Sequence, residues 1–381
     1  MLVNINDFRT LALKRLPRAL FDYIDGGAED ERTLRANRAD FTRYTFRPRV
    51  LTDVSERDQA TTVLGQRLAS PLILAPTGFT GMFWPNGESA AARAAAKAGV
   101  IFTLSTMSIN SLEQVAAASD GPRWFQLYVW RDRDIVRGLI ERAQAAGYKA
   151  LVITVDTPVL GQREKDLRSG LTLPPRITAR NVLDTVRRVS WLKGVVTHPR
   201  PTFGNFVGTA GVDHDAVSLA SYTTRQFSPA ITWKDLAWYR SVWSGPIAIK
   251  GVQSAEDARL AVEHGLDAVI VSNHGGRQLD SAPSAIEVLP EVVDAVNGQA
   301  EVILDGGIRR GTDVVKAIAL GARACMMGKA FNYAVAAAGQ PGVERALEIL
   351  YAEIDRTLAL IGRPKLADVD RSSVHYRAPH E

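Results

Sequence analysis

From residue 70 onward, short apolar runs alternate with longer stretches in which apolar positions recur at helical spacing. The runs fall at Pro71–Ala75, Val100–Leu104, Arg123–Leu127, Ala150–Val155, Pro246–Ile249, Ala268–Val271, Val302–Leu304 and Arg323–Met327. Each is too short for a buried helix, and most are rich in Val, Ile and Leu, which reads as a strand covered on both faces. Between them, Glu88–Lys97, Leu112–Ala118, Asp132–Ala146, Ala255–His264 and Gly311–Leu320 are alanine-rich or charged and read as helices. Eight such strands alternating with helices predict a (β/α)8 TIM barrel. A doubly wound sheet has the same local pattern, since periodicity carries no information about closure.

Residues 1–45 read as helical, with Asn4 or Asn6 as a cap, Pro17 opening a second helix and Gly26-Gly27 closing one. Glu344–Leu360 reads as a terminal helix with Leu347, Leu350, Ile354 and Leu358 on one face, and the tail from Ser372 is expected to fray. The regular spacing breaks once. About ninety residues separate the fourth run from the fifth, against about twenty to thirty-five elsewhere, which places an insertion between Thr157 and Thr232. The expected organisation is one domain over 1–381 with an inserted basic segment at 163–230. Pro174-Pro175, Pro199 and Pro201 favour irregular backbone there. Val182, Leu183, Val186, Val189 and Leu192 fall at helical spacing beside Arg180, Arg187, Arg188 and Lys193, which predicts a basic amphipathic helix.

Composition changes this picture in two places. The net charge is +5, yet Arg163–Phe206 alone holds nine Lys and Arg against three acids, so the remainder carries −1. Basicity confined to one segment argues against a nucleic-acid coat. The lone cysteine, Cys325, excludes an internal disulfide and a cysteine metal cluster, as expected of a reducing compartment. The polar start, Met1–Thr10, has no signal-peptide pattern and no stretch reaches the length of a membrane span. The expected location is cytoplasmic.

Barrels of this kind carry their chemistry at the carboxyl ends of the strands. There the sequence places Pro76-Thr77-Gly78, then Ser105, Gln126 and Tyr128, then Thr154 and Asp156 with Arg163 beyond, then Lys250. The sixth run delivers Ser272, His274 and Arg277, the seventh Asp305-Gly306-Gly307 with Arg309, and the eighth Gly328-Lys329. Glycines with a basic residue after strands seven and eight suit a phosphate. Ser105, Gln126 and Thr154 offer neutral hydrogen bonds and Lys250 a charge, which suit a flat polar ring able to become anionic. The ligand suggested is flavin mononucleotide, FMN. Arg163 and Arg277 can clamp a carboxylate, while Tyr23 and Tyr128 can hydrogen-bond it or a neighbouring hydroxyl. Asp156 can pair with His274, raising its basicity and stabilising the imidazolium once formed. Together these groups describe two-electron oxidation of a 2-hydroxy acid.

From Asp7 to Arg363 the sequence resembles the FMN-dependent 2-hydroxy-acid-oxidising family, which includes glycolate oxidase, L-lactate dehydrogenase and mandelate dehydrogenase. The resemblance rests on Ser-Asn-His-Gly-Gly-Arg-Gln-Leu-Asp (272–280), Phe-Gln-Leu-Tyr (125–128), Thr-Val-Asp (154–156), Ile-Lys-Gly (249–251) and Asp-Gly-Gly-Ile-Arg-Arg-Gly (305–311). It implies that His274 is the base, that Asp156 is its partner, and that Arg277, Arg163, Tyr23 and Tyr128 hold the substrate. It also implies that Lys250 lies beside the flavin pyrimidine and that the subunits form a homotetramer. Where many members have Gly-Arg after the last strand, this chain has Gly328-Lys329, which keeps the charge and loses the two-pronged fork.

The same resemblance bears on the electron acceptor. Gly78 and the basic insertion with His198-Pro199-Arg200 are similar to the membrane-associated lactate and mandelate dehydrogenases, whereas glycolate oxidase has alanine at the former. The missing methyl is expected to leave room above the flavin. Asp305-Gly306-Gly307 departs from those dehydrogenases, which tend to carry serine there. The expectation is a dehydrogenase passing electrons to a quinone or a protein, with Arg176–Phe206 resting on an anionic inner-membrane surface. The alternative is a soluble oxidase that reduces oxygen to hydrogen peroxide. A barrel of the inosine monophosphate dehydrogenase type would need a catalytic cysteine loop, and Cys325 lies within the eighth run. A flavin-binding scaffold without catalysis leaves His274 and the two arginines without a purpose.

Overall fold

The computed structural model describes residues 1–171, 176, 178–198, 202–207 and 226–378. Eight parallel strands close into a barrel: β1 (Leu72–Leu74), β2 (Ile101–Ser105), β3 (Arg123–Tyr128), β4 (Ala150–Thr154), β5 (Ile247–Val252), β6 (Ala268–Ser272), β7 (Glu301–Asp305) and β8 (Ala324–Met327). Each strand pairs with its neighbours in sequence, and β8 returns to β1, which settles closure against the open-sheet alternative.

Side chains alternate across the strands, as the two-residue period of a strand requires. Ile73, Ile101, Trp124, Val152, Ile270, Ile303 and Met326 fill the barrel interior, while Leu72, Leu74, Phe125, Leu151 and Val271 pack outward against the helices. Val63 and Leu68, from a hairpin of Thr61–Val63 and Gln66–Leu68, join the interior set and stop its amino-terminal end. The hairpin turns at Leu64 (φ 46) and Gly65 (φ 75), both left-handed, which is the turn that matches strand twist. Glu301 fixes it by accepting the Leu64 N–H at 2.9 Å.

The amino-terminal segment folds as its punctuation predicts. Asn4 caps Ile5–Arg15 in a capping box with Asp7, Pro17 precedes Arg18–Asp25, and Gly26 ends it. A further helix, Arg32–Ala39, leads through a 3₁₀ turn into the strand Tyr44–Phe46, so the helical expectation for 1–45 stops short. That strand pairs antiparallel with Val374–Tyr376, so the tail does not fray where expected: Val374 is buried and the Tyr44 and Tyr376 rings lie 5.4 Å apart. The terminal helix is also longer than expected, running Lys329–Leu360 with a break at Ala338 and Gly339. Gly339 (φ 61) sits where a side chain would collide with Trp84, so the break admits the indole.

Between β4 and β5 lies the insertion. Its apolar stripe is carried by two short helices, Ala179–Arg187 and Val189–Val196, and not by one, because Arg188 (φ −91, ψ 57) turns away to donate to the Lys14 carbonyl at 2.6 Å and pair with Asp184. Trp191 donates to the Met82 carbonyl at 2.8 Å, docking the second helix on the barrel. Pro174-Pro175, Pro199, Arg200 and Pro201 lie outside the described residues.

Truncation after Arg371 removes the strand that covers Tyr44–Phe46, and the buried Val374 with it. The expected cost is about 2 kcal/mol, the scale of one buried aliphatic side chain. A urea-unfolding midpoint equal to that of the full chain would show that the tail contributes nothing.

Candidate active site

β6 ends in Ser272, and the chain then reverses through three consecutive left-handed residues, His274 (φ 57), Gly275 (φ 67) and Gly276 (φ 71). Gly276 has no room for a side chain, because a Cβ would lie 2.6 Å from the Leu34 nitrogen. His274 carries a side chain in the same strained region, a cost that persists when the surroundings fix it. They do: its N–H donates to Ser272 Oγ at 3.0 Å and its Nδ1 meets Asp156 Oδ1 at 2.9 Å. Asp156 follows β4. Burial alone would raise its pKa, but the His274 charge and hydrogen bond, with Lys250 behind them, hold the carboxyl below its ordinary value.

The buried Lys250 ammonium at the end of β5 meets Asp305 Oδ2 at 2.9 Å and Ser272 Oγ at 3.0 Å. Burial would strip its proton; Asp305 and Asp156 outweigh that and raise its pKa above the usual lysine value. Ser272 also donates to Asp305 at 2.8 Å, so one hydroxyl ties β5, β6 and β7 together. Ser105 Oγ donates to Gln126 Oε1 at 3.1 Å, and Gln126 Nε2 donates to Thr154 Oγ1 at 2.9 Å. This polar row runs across β2, β3 and β4.

Above these rows opens a cavity of about 410 Å³. Pro76, Thr77, Gly78, Lys250, Asp305, Gly306, Gly307, Arg309, Gly328 and Lys329 line it, as do Tyr23, Tyr128, Arg163, His274 and Arg277. Ser105, Gln126, Thr154, Ser272 and Asp156 do not line it; they lie beneath and fix the residues that do. Tyr23 is sandwiched, with Arg277 4.6 Å and Arg163 5.3 Å from its ring. Arg163 is anchored to Asp166 at 3.1 Å, and Arg277 donates to the carbonyl oxygens of Tyr23 and Gly26. Burial, then the Arg163 charge, push the Arg277 pKa below its usual value, as two guanidiniums sharing a pocket require. The Tyr128 ring stacks 6.5 Å from His274, and burial raises its hydroxyl pKa.

Sequence reasoning missed the apolar roof. Phe203 and Phe227, both from the second half of the insertion, line the cavity and pack edge-on against Phe79 and Tyr128 at 5.1 Å. No local pattern distinguishes them from loop aromatics. It also missed Asn37 and Arg38 on the helix Arg32–Ala39. A methyl at Gly78 would press on Met107 Cβ at 3.1 Å and approach Tyr23 Oη at 3.5 Å, so it would enter the space between the β2 loop and Tyr23.

Lys329 donates to the same Gly26 carbonyl as Arg277, at 2.9 Å. Burial, followed by the charges of Arg277 and Arg309, drives its pKa well below the lysine range. Cations crowded around a cavity in this way form an anion site. Beside them Gly306 (φ 134) and Gly307 (φ 80) turn the chain, and a Cβ on Gly307 would lie 1.8 Å from the Asn37 carbonyl oxygen. A cationic end with glycine turns, a polar row and a buried ammonium match the phosphate, the ring edge and the pyrimidine of a flavin nucleotide.

These features define a barrel oxidoreductase built around a phosphate-bearing cofactor. Residues 12–376 match the FMN-dependent dehydrogenase family, and the chain belongs to it; FMN is its cofactor. It is 45% identical to glycolate oxidase 5 of Oryza sativa subsp. japonica, over 98% of this chain and 95% of that one. Identity to an L-lactate dehydrogenase of Pectobacterium atrosepticum is 46%, over 97% and 95%. The crystal structure of a monotopic membrane protein, (S)-mandelate dehydrogenase, superposes with a TM-score of 0.95 at 43% identity, covering 99% of this chain and all of that one.

Gly307→Ala combines a left-handed backbone with a collision against Asn37, and is expected to cost at least about 2 kcal/mol and to lower FMN retention. Gly275→Ala meets nothing within 4 Å and should cost about 1–2 kcal/mol from backbone strain alone. Equal thermal midpoints for the two variants would remove the contact as the cause.

Proposed function

We propose that this chain, acting as one FMN-binding unit over 1–381, oxidises an L-2-hydroxy acid such as L-lactate or L-mandelate to the 2-oxo acid. The carrying observation is the His274–Asp156 pair at 2.9 Å, beside two arginines that converge on Tyr23. Arg163 and Arg277 bind the substrate carboxylate, and Tyr23 and Tyr128 orient it and the neighbouring hydroxyl. His274, with Nδ1 turned to Asp156, keeps Nε2 for the substrate proton, and Asp156 stabilises the imidazolium that results. When bound, FMN would accept the two electrons and the second proton; Lys250 would lie against its ring, with the Ser105–Gln126–Thr154 row bracing that wall from beneath, and Gly306, Gly307, Arg309, Gly328 and Lys329 would hold its phosphate. Pro76, Thr77 and Gly78 form the wall facing it.

His274→Gln is expected to keep FMN bound while slowing anaerobic flavin bleaching by L-lactate or L-mandelate on the order of 10²–10⁴-fold, the usual loss for a general base. A rate within about tenfold of wild type removes His274 from this role.

For the acceptor, we read the insertion as a peripheral membrane contact that brings a quinone or protein acceptor within reach. The subunits are read as a homotetramer on the inner face of the membrane. No described helix is long and apolar enough to cross a membrane. What supports a contact lying on the surface is that Val182, Leu183, Val186, Val189 and Val196 are 49–74% exposed, with Arg176, Arg180, Arg187 and Lys193 also exposed. The contact is confined to 179–196, because Asn205 and Phe206 are core: Asn205 bonds to the β2 loop and Phe206 stacks on Trp130 at 4.9 Å. The oxidase reading is supported by the glycine in Asp305-Gly306-Gly307 where related dehydrogenases tend to carry serine, and by the 45% identity to glycolate oxidase 5.

Glutamate at Val182, Leu183 and Val186 together is therefore expected to abolish sedimentation with anionic liposomes at low salt while leaving anaerobic flavin bleaching unchanged. Wild-type protein that does not sediment favours the oxidase, which fast reoxidation by oxygen in stopped flow would support.

A further inference from the structure

The helix Arg32–Ala39 is bolted to the β6 loop. Asn37 and Asn273 exchange side-chain hydrogen bonds at 2.7 and 2.9 Å, and Asn37 Oδ1 also accepts the Ala285 N–H at 3.2 Å. Thr33 donates its N–H to Asp280 at 2.9 Å and its hydroxyl to the Ala282 carbonyl at 2.8 Å. The Asn37 carbonyl in turn presses on Gly307. The next residue, Arg38, is thereby held at the rim of the cavity beside Gly306, Gly307 and Arg309. It is exposed and makes no hydrogen bond or ion pair among the described residues, and its charge helps push the Arg309 pKa down. Its neighbour Arg43, by contrast, is matched by Asp40 and Glu287.

We propose that Arg38 is a third cationic ligand of the FMN phosphate, supplied by the amino-terminal helix and not by the barrel. The barrel offers two cations there. Arg309 spends one donor on the Ile308 carbonyl at 2.7 Å, and Lys329 is a point charge without a fork. A phosphate group carries up to two negative charges and three strong acceptor oxygens, which leaves acceptor capacity for a planar guanidinium. Arg38 supplies that fork from a backbone already fixed, so only its side chain has to be ordered for the contact. The amino-terminal helix thereby becomes part of the cofactor site, and FMN links it to β7 and β8.

The test compares wild type and Arg38→Gln, each stripped of cofactor, for binding of FMN and of riboflavin, which lacks the phosphate, by flavin fluorescence. The FMN Kd is expected to rise on the order of 10–100-fold in the variant, the range of a charge-assisted hydrogen bond, with the riboflavin Kd unchanged. An unchanged FMN Kd overturns the proposal, and so does an equal rise for riboflavin, which would trace the effect to the fold. Where stripped protein does not refold, FMN release from the holoenzyme is followed at two salt concentrations. Release from wild type should accelerate more with salt than release from Arg38→Gln, and identical salt responses overturn the proposal equally.

Discussion

Everything at the top of this barrel depends on burying the Lys250 ammonium. A lone buried cation would surrender its proton, so the site surrounds it with Asp305 at 2.9 Å and places Asp156 within its field. Two carboxylates against one ammonium leave one negative charge over, and Asp156 directs it at His274. Lys250 and His274 are therefore one electrostatic system. Ser272 keeps it rigid, since its hydroxyl touches Lys250, Asp305 and the His274 backbone at once. A change at any of the four alters the balance the other three have reached.

The barrel alone does not make the cavity. Its amino-terminal wall comes from Tyr23 and from the helix Arg32–Ala39, which fit only because Gly276 and Gly307 lack side chains. At both glycines the backbone is left-handed and the neighbouring main chain lies within van der Waals contact, so conformation and space make the same demand. The glycines that looked like ligand-approach devices in the sequence are in part docking points for the amino-terminal helices.

The strands and most helices were legible because a fully buried parallel barrel writes continuous apolar runs, and punctuation such as Asn4, Pro17 and Gly26 marks helix ends by mechanism. The strand-end residues were legible for the same reason, since a run that stops at Ser272 or Asp305 says where the side chains beyond it sit. Three things were not. Tyr44–Phe46 and Val374–Tyr376 are three-residue strands about 330 residues apart, and nothing local announces such a pair. Lining residues and buried supports such as Gln126 and Thr154 could not be told apart, because both follow an apolar run. Phe203 and Phe227 reach the cavity only through the path of the insertion, which no periodicity encodes.

That path divides the insertion by function. Leu171, Phe203 and Phe227 roof the cavity, and the turn at Asn205 and Phe206 is packed as tightly as the barrel. The middle of the insertion rests on the amino-terminal helices through Asp184 and Arg188 and on the barrel through Trp191, and turns Val182, Leu183 and Val186 outward. Of the basic residues that drew attention to this stretch, Arg163 lines the cavity and Arg188 is spent on docking. Only the remaining exposed ones are available to a surface. A charge count over the whole segment therefore mixes three separate tasks. Because roof and outward face lie on different residues, a substitution on one face need not disturb the other.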